Sequence, residues 1–254
     1  MVMPLGDLER TRITPYATYV LIALNVIVYL VQLELGDDFT IAYAATPYEI
    51  THGTDIHHEV EVPRVLFGKD APVVIRHAPV PIPVWLTLIT AMFLHGSPLH
   101  LAGNMLYLWI FGDNVEEVLG RVRYILIYLT CGIFGMAAQV IAEPTSKVPV
   151  LGASGAIAGV MGMYVAWFPH NRVRVLVVRF ITELPALAVI GGWIAIQVWA
   201  GIGAARLVVG DKTAGVAYLA HVGGAASGLI FAALFRPRAI ALREQNRRPG
   251  EWRY

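Results

Sequence analysis

Charge is scarce in this chain and cysteine is almost absent. Of 254 residues only 15% are Asp, Glu, Lys or Arg, and Cys131 is the one cysteine. A soluble domain carries about 25% charged residues. One thiol excludes a disulfide framework, and its seat in an apolar run says little about redox compartment. Eighteen acidic and 19 basic residues leave a formal net charge of +1. There is thus no reservoir of positive charge for nucleic acid, and no RNP or finger motif to use one. With 57% hydrophobic residues, the composition also excludes disorder and a coiled coil.

What the chain has in quantity is uncharged length. Six runs lack Asp, Glu, Lys and Arg: Tyr16 to Leu33, Trp85 to Phe111, Tyr124 to Ala142, Val148 to Asn171, Leu184 to Ala205 and Thr213 to Phe235. A helix needs about 20 residues, at about 1.5 Å each, to cross a hydrocarbon core of roughly 30 Å. The runs show no amphipathic face, which argues against six soluble core helices. The expected fold is all-α, a polytopic membrane protein of six transmembrane helices. Lys and Arg set its orientation. With the N-terminus inside, the inner side holds Arg10, Arg12, Arg121, Arg123, Arg172, Arg174, Arg179 and the tail arginines 236, 238, 243, 247, 248 and 253. The outer side then holds Arg64, Lys69, Arg76, Lys147, Arg206 and Lys212. The expected organisation is a cytoplasmic segment 1–15, a membrane domain 16–236 with a large outer loop 34–85, and a basic cytoplasmic tail 237–254. The first run reads as a signal anchor. Asp7 and Glu9 precede it, and the A-x-A match, Ala42 to Ala44, lies well past its apolar core. His52, His57 and His58 in the outer loop read as solvated side chains, since no Cys or paired-ligand motif accompanies them.

The second run is interrupted at His95-Gly96-Ser97-Pro98. Ser97 is a good N-cap and Pro98 suits the first helical position, so a helix is predicted to begin there. Trp85 to Leu94 becomes a short segment on the outer side. His100 and Asn104, four apart, share a helix face close to His95. In the fourth run Ser154 lies 14 residues before Phe168, and in the sixth His221 lies 14 residues before Phe235. Both runs travel inward, so both side chains are predicted about 21 Å above the inner boundary. Gly155 and Gly159 in one run, and Gly224 and Gly228 in the other, form small-xxx-small rows that let helices approach closely in lipid.

Each motif alone fits a packing role. Together they bring a hydroxyl and an imidazole to one depth, with His95, His100 and Asn104 near the same face. Polar groups in lipid usually face the protein interior or a water-filled cavity. A hydroxyl beside a neutral imidazole is a nucleophile beside its base. Neither the fourth nor the sixth run contains Asp or Glu to orient the imidazole, which argues for a two-residue site. Oxyanion donors could come from the Ser154 N–H, His100 and the Asn104 amide.

These residues resemble the rhomboid family of intramembrane serine proteases. The resemblance spans about residues 86 to 235. It rests on His95-x4-His100-x3-Asn104, on Gly152-Ala153-Ser154-Gly155, and on Ala220-His221-x2-Gly224-x3-Gly228. Gly112-Asp113-Asn114-Val115-Glu116 and Gly120 also match, with a structural role at a helix end and turn. The resemblance implies cleavage of single-span membrane proteins within or near the bilayer. It implies Ser154 as nucleophile, His221 as general base, His100 and Asn104 as oxyanion stabilisers and His95 as polar support. It implies no metal and no organic cofactor. The partners expected are single-span transmembrane substrates and the lipid bilayer, and no nucleic acid. The expected location is a bacterial inner membrane, with both termini cytoplasmic. Two positions depart from the family pattern. Ala158 stands where many members carry an aromatic residue that stacks on the histidine, and no Trp-Arg pair occurs between residues 34 and 84.

Two other readings compete. A non-catalytic membrane chaperone or dislocation factor on the same scaffold usually lacks the serine or the histidine, and both are present here. A transporter or haem protein using His95, His100 and His221 lacks an inverted repeat and same-face ligand spacing. Asn25, Gln32, Gln139 and Gln197 are expected to make interhelical hydrogen bonds.

Overall fold

The computed structural model describes residues 2–9, 11–62, 65–66, 69–70, 73–208 and 217–246. Arg10, Arg64, Lys212, Arg247, Arg248 and Arg253 of the charge distribution, and Thr213 at the start of the sixth run, lie outside the described residues. In chain order the elements are strand β1 (Val2–Asp7), helices α1 (Tyr16–Tyr43) and α2 (Pro47–His52), and strands β2 (Glu59–Val62), β3 (Val65–Leu66), β4 (Lys69–Asp70) and β5 (Val73–Arg76). Then come α3 (Thr87–Thr90), α4 (Pro98–Leu119), α5 (Arg121–Ala142) and α6 (Ser154–Trp167). Strands β6 (Arg172–Val177) and β7 (Phe180–Pro185) precede α7 (Ala186–Val208), α8 (Tyr218–Leu234) and α9 (Arg236–Asn246).

Helix therefore dominates, as the apolar runs predict. Among the described residues α1 and α5 are each long and apolar enough to cross a membrane. Val84–Phe93 and α4 make a third span if taken together, bent by 79° at their junction. The bend is the predicted break. Ser97 caps α4 by accepting the His100 N–H at 3.1 Å, and Pro98 opens the helix. The fourth run is helical only from Ser154. Pro144, Pro149 and Gly152 (φ 127°) keep the preceding stretch irregular. That stretch is held by the Gly152 N–H on Ala91 O at 2.8 Å and by an Ala45–Val150 bridge.

The all-α expectation needs correcting, because three strands form a sheet in the order β1-β6-β7, all antiparallel. Residues 173–182 belong to the β6–β7 hairpin. Val173 and Val175 are buried while Arg172 and Arg174 are exposed, the period of two that a half-buried strand requires. The sheet lies at the end of α6 opposite Ser154. There Asp7 accepts from the Asn114 amide at 3.0 Å and from the Tyr164 hydroxyl. Burial raises the Asp7 carboxyl above its ordinary value. Glu116, fully buried, accepts from the Ala17 N–H (3.0 Å), the Thr18 N–H (2.8 Å) and the Thr18 hydroxyl (2.8 Å). A carboxylate thus satisfies free N–H groups at the start of α1.

The centre of the molecule is the contact of α6 with α8, flanked by α5. A Cβ on Gly224 would fall inside the carbonyl of Gly155, and one on Gly228 inside that of Gly159. On α5, a Cβ on Gly135 would come within 2.7 Å of Ala220 O. Cys131 is buried against Gly159 in the same layer. Large apolar side chains outside this layer are exposed, among them Ile27, Phe134, Trp199 and Ile230. That is the surface a lipid phase requires.

The long loop after α1 does not run free. Helix α1 continues past Leu33, with non-helical backbone at Gly36, to Tyr43. Strands β2 and β5 pair antiparallel over a small cluster of Ile56, Val60 and Val62. His52 stacks on Tyr48 with ring centroids 4.1 Å apart, and His57 lies 3.4 Å from Asp55. The buried histidine of this loop is His77, whose Nε2–H donates to Lys147 O at 3.0 Å. Its Nδ1 lies 3.8 Å from the buried Glu49. Burial lowers His77 below its ordinary value of 6.5 and raises Glu49 above 4.5.

Two measurements test this packing. Gly228→Val is expected to destabilise the protein by about 1–3 kcal/mol of overpacking, read as a lower thermal midpoint in detergent. Gly192→Ala, where a Cβ meets nothing within 4 Å, should not lower it, since alanine favours helix over glycine. For the loop, the His77 contribution is present above about pH 6.5 and lost as the pH falls through its lowered folded value. Glu49 acts oppositely, losing its contribution as the pH rises through its raised value. Limited proteolysis of the loop at about pH 7.5 and about pH 5 should therefore differ more in wild type than in His77→Gln.

Candidate active site

The cap at Ser97 and the loop around Gly152 bring the starts of α4 and α6 together. The α6–α8 contact brings His221 to the same place. Between them lies a cavity of about 420 Å3, lined among others by His100, Asn104, Tyr107, Ser154, Trp193 and His221. His221 Nε2 is 2.8 Å from Ser154 Oγ, and His221 Nδ1 is 2.8 Å from Gln197 Oε1. A carbonyl oxygen only accepts, so Nδ1 carries the ring hydrogen. Nε2 is then the acceptor for the Ser154 hydroxyl. Ser154 is the first residue of α6, where backbone N–H groups have no partner within the helix and the dipole favours negative charge.

His100 and Asn104 reach the same cavity from α4. The His100 Nδ1 accepts the Gly96 N–H at 3.4 Å, which leaves a hydrogen on Nε2. A Cβ on Gly152 would lie 3.0 Å from that Nε2 and 3.7 Å from Ser154 Oγ. The space kept open by Gly152 is therefore bordered by the His100 donor and the serine oxygen. The Asn104 side-chain nitrogen is buried and has no hydrogen-bond partner. The residue lines the same cavity. His95 stands behind these groups, buried, with its ring edge-on to His100 at 5.1 Å. Its backbone is fixed by Gln32, which accepts the His95 N–H at 2.9 Å and donates to its carbonyl at 3.2 Å.

All five residues singled out in the sequence thus gather at one end of the bundle. Ser154, His221, His100 and Asn104 line the cavity, and the His95 ring packs edge-on against His100. The sequence reading missed the contribution of α7. Gln197 was expected only as an interhelical bond, and Trp193 not at all. Trp193 packs against the His221 ring with centroids 5.4 Å apart at 40°. Their spacing of four was the available signal, since it puts Trp193 and Gln197 on one helix face. Ala158 is fully buried within α6. The aromatic neighbour of the imidazole comes from α7 instead.

A Rhomboid domain family model matches residues 83–238. The chain belongs to the rhomboid family. It is 28% identical over 173 residues to Rhomboid protein 1, mitochondrial, of Saccharomyces cerevisiae, covering 66% of this chain and 47% of that one. It is 45% identical over 84 residues to Rhomboid protease GluP of Bacillus subtilis, covering 32% of this chain and 16% of GluP. It is 30% identical over 169 residues to Rhomboid-like protein 11, chloroplastic, of Arabidopsis thaliana, covering 65% and 57%. The chain spans less than two thirds of the length of each of these rhomboid relatives. The matched region holds the whole cavity, from the α4 cap to α8.

Proposed function

We propose that this rhomboid protein is an intramembrane serine endopeptidase that cuts single-span membrane proteins near the outer face of the bilayer. The observation that carries the reading is the 2.8 Å contact of Ser154 Oγ with His221 Nε2 at the edge of a cavity. In the proposed reaction His221 Nε2 takes the hydroxyl proton as Ser154 Oγ bonds to the substrate carbonyl carbon. The carbonyl π electrons move to oxygen. The His100 Nε2–H, the Asn104 amide and the Ser154 N–H face that developing charge. His221 then returns the proton to the leaving amine as the C–N bond breaks, and water entering the cavity releases the acyl group by the reverse relay. His95 supports His100. No metal or organic cofactor takes part.

The proposed topology is six crossings with both termini cytoplasmic. It is supported by the distribution of Lys and Arg and by the exposed apolar surfaces of α1, α5, α7 and α8. Helix α6 is about 21 Å long, so it leaves Ser154 below the surface of a 30 Å core. The proposed location is the cell membrane of a bacterium, the class of organism from which one of the relatives, GluP, comes.

The test is cleavage of a single-span substrate in proteoliposomes. Wild type should cut without added metal or ATP. Ser154→Ala and His221→Ala should each lower the rate by at least about 10³-fold with an unchanged thermal midpoint. Undiminished cutting by Ser154→Ala contradicts the assignment. A wild-type protein that cuts no member of a substrate panel favours the chaperone or dislocation reading.

A further inference from the structure

The hydrogen bond from α7 to the imidazole carries more than packing. Gln197 Oε1 lies 2.8 Å from His221 Nδ1, on the ring edge away from Ser154. It is an acceptor aimed at the nitrogen that does not touch the serine. A histidine without such a partner distributes its hydrogen over both ring nitrogens. In the form with hydrogen on Nε2, the lone pair points away from Ser154 and there is no base. Trp193, one turn earlier on the same face of α7, packs against the ring at 5.4 Å. Ala158 on α6 supplies no ring to do so. Both constraints on the imidazole therefore come from α7.

We infer that Gln197 is the positioning residue of the Ser154–His221 pair, holding the His221 hydrogen on Nδ1 while Trp193 holds the plane of the ring. This rests on the serine hydrolase reading. In the reaction the Ser154 proton moves to Nε2 and the Nδ1 hydrogen stays where it is. The Gln197 carbonyl takes no proton. Its dipole stabilises the imidazolium that forms. An amide suits this site better than a carboxylate. A carboxylate in a lipid-embedded helix carries a large desolvation penalty while the imidazole is neutral, whereas an amide stays neutral throughout.

The experiment uses full-length wild type, Gln197→Leu and Gln197→Glu in proteoliposomes, with cleavage kinetics on one single-span substrate. In parallel, 15N-histidine spectra are recorded in nanodiscs, with the His221 signals identified by their loss in His221→Ala. Gln197→Leu is expected to lower kcat by about 10- to 100-fold, the worth of one hydrogen bond to a charged group. KM should stay within about twofold, because Gln197 binds no substrate. The His221 ring signals should move from the Nδ1–H form to a mixture of tautomers. Gln197→Glu, which keeps an acceptor oxygen, should keep the Nδ1–H form and a kcat above that of Gln197→Leu but below wild type, the shortfall coming from desolvation of its carboxylate. The inference is overturned if Gln197→Leu keeps wild-type kcat and the Nδ1–H form. It is also overturned if kcat falls while the tautomer is unchanged, the mark of a packing role. A wild-type protein that cuts nothing overturns the hydrolase reading instead, and the spectra still decide whether Gln197 sets the tautomer.

Discussion

Gly224 and Gly228 sit so close to α6 that neither position has room for a methyl group. This backbone contact is the constraint on which the rest of the molecule depends. In lipid there is no hydrophobic drive between helices, so association relies on van der Waals packing and hydrogen bonds. Packing is tightest where side chains are smallest, and the tightest row lies one turn from His221. The facing row on α6 begins at Gly155, one residue after Ser154. Helix register and chemistry are therefore one feature. The glycines that close the bundle bring the hydroxyl to the imidazole.

Around that contact the polar groups are arranged without buried carboxylates. Gln32 holds the His95 backbone, Gly96 satisfies one nitrogen of His100, and Gln197 satisfies one nitrogen of His221. Each is a neutral donor or acceptor. A neutral network avoids the desolvation penalty of a charged one, and in the proposed reaction charge would develop only as the substrate is cut. The buried carboxylate Glu116 lies at the other end, where it meets the N–H groups at the start of α1. The Asp7 cluster lies there too, tying β1 to α4 and α6. Asp7 and Glu116 thus fasten one end of the bundle, while no carboxylate is among the residues that line the cavity at the other end.

Much of the site was legible in the chain because it depends on local rules. The Ser97-Pro98 start of α4 follows from capping chemistry. The equal distance of Ser154 and His221 from their run ends follows from helix rise. The partner of Gln197 was not legible. Helix α7 is apolar almost all round, so no hydrophobic face fixes its rotation, and a glutamine there reads as general adhesive. The Arg-Val-Arg-Val alternation of residues 172–175 held a strand signal. Its partner β1 lies some 170 residues earlier, a pairing that no local pattern reveals. The shortened α6 has the same origin. The loop before it is shaped by bonds to Ala91 and Ala45, which are distant in sequence.

The central claim is that His221 activates the Ser154 hydroxyl inside an accessible cavity. Its most direct test is peptide mapping by mass spectrometry after reaction with a small fluorophosphonate. The account predicts a single adduct, on Ser154, in wild type, and none in folded His221→Ala. An unlabelled wild type, or equal labelling of Ser154 with and without His221, would contradict it.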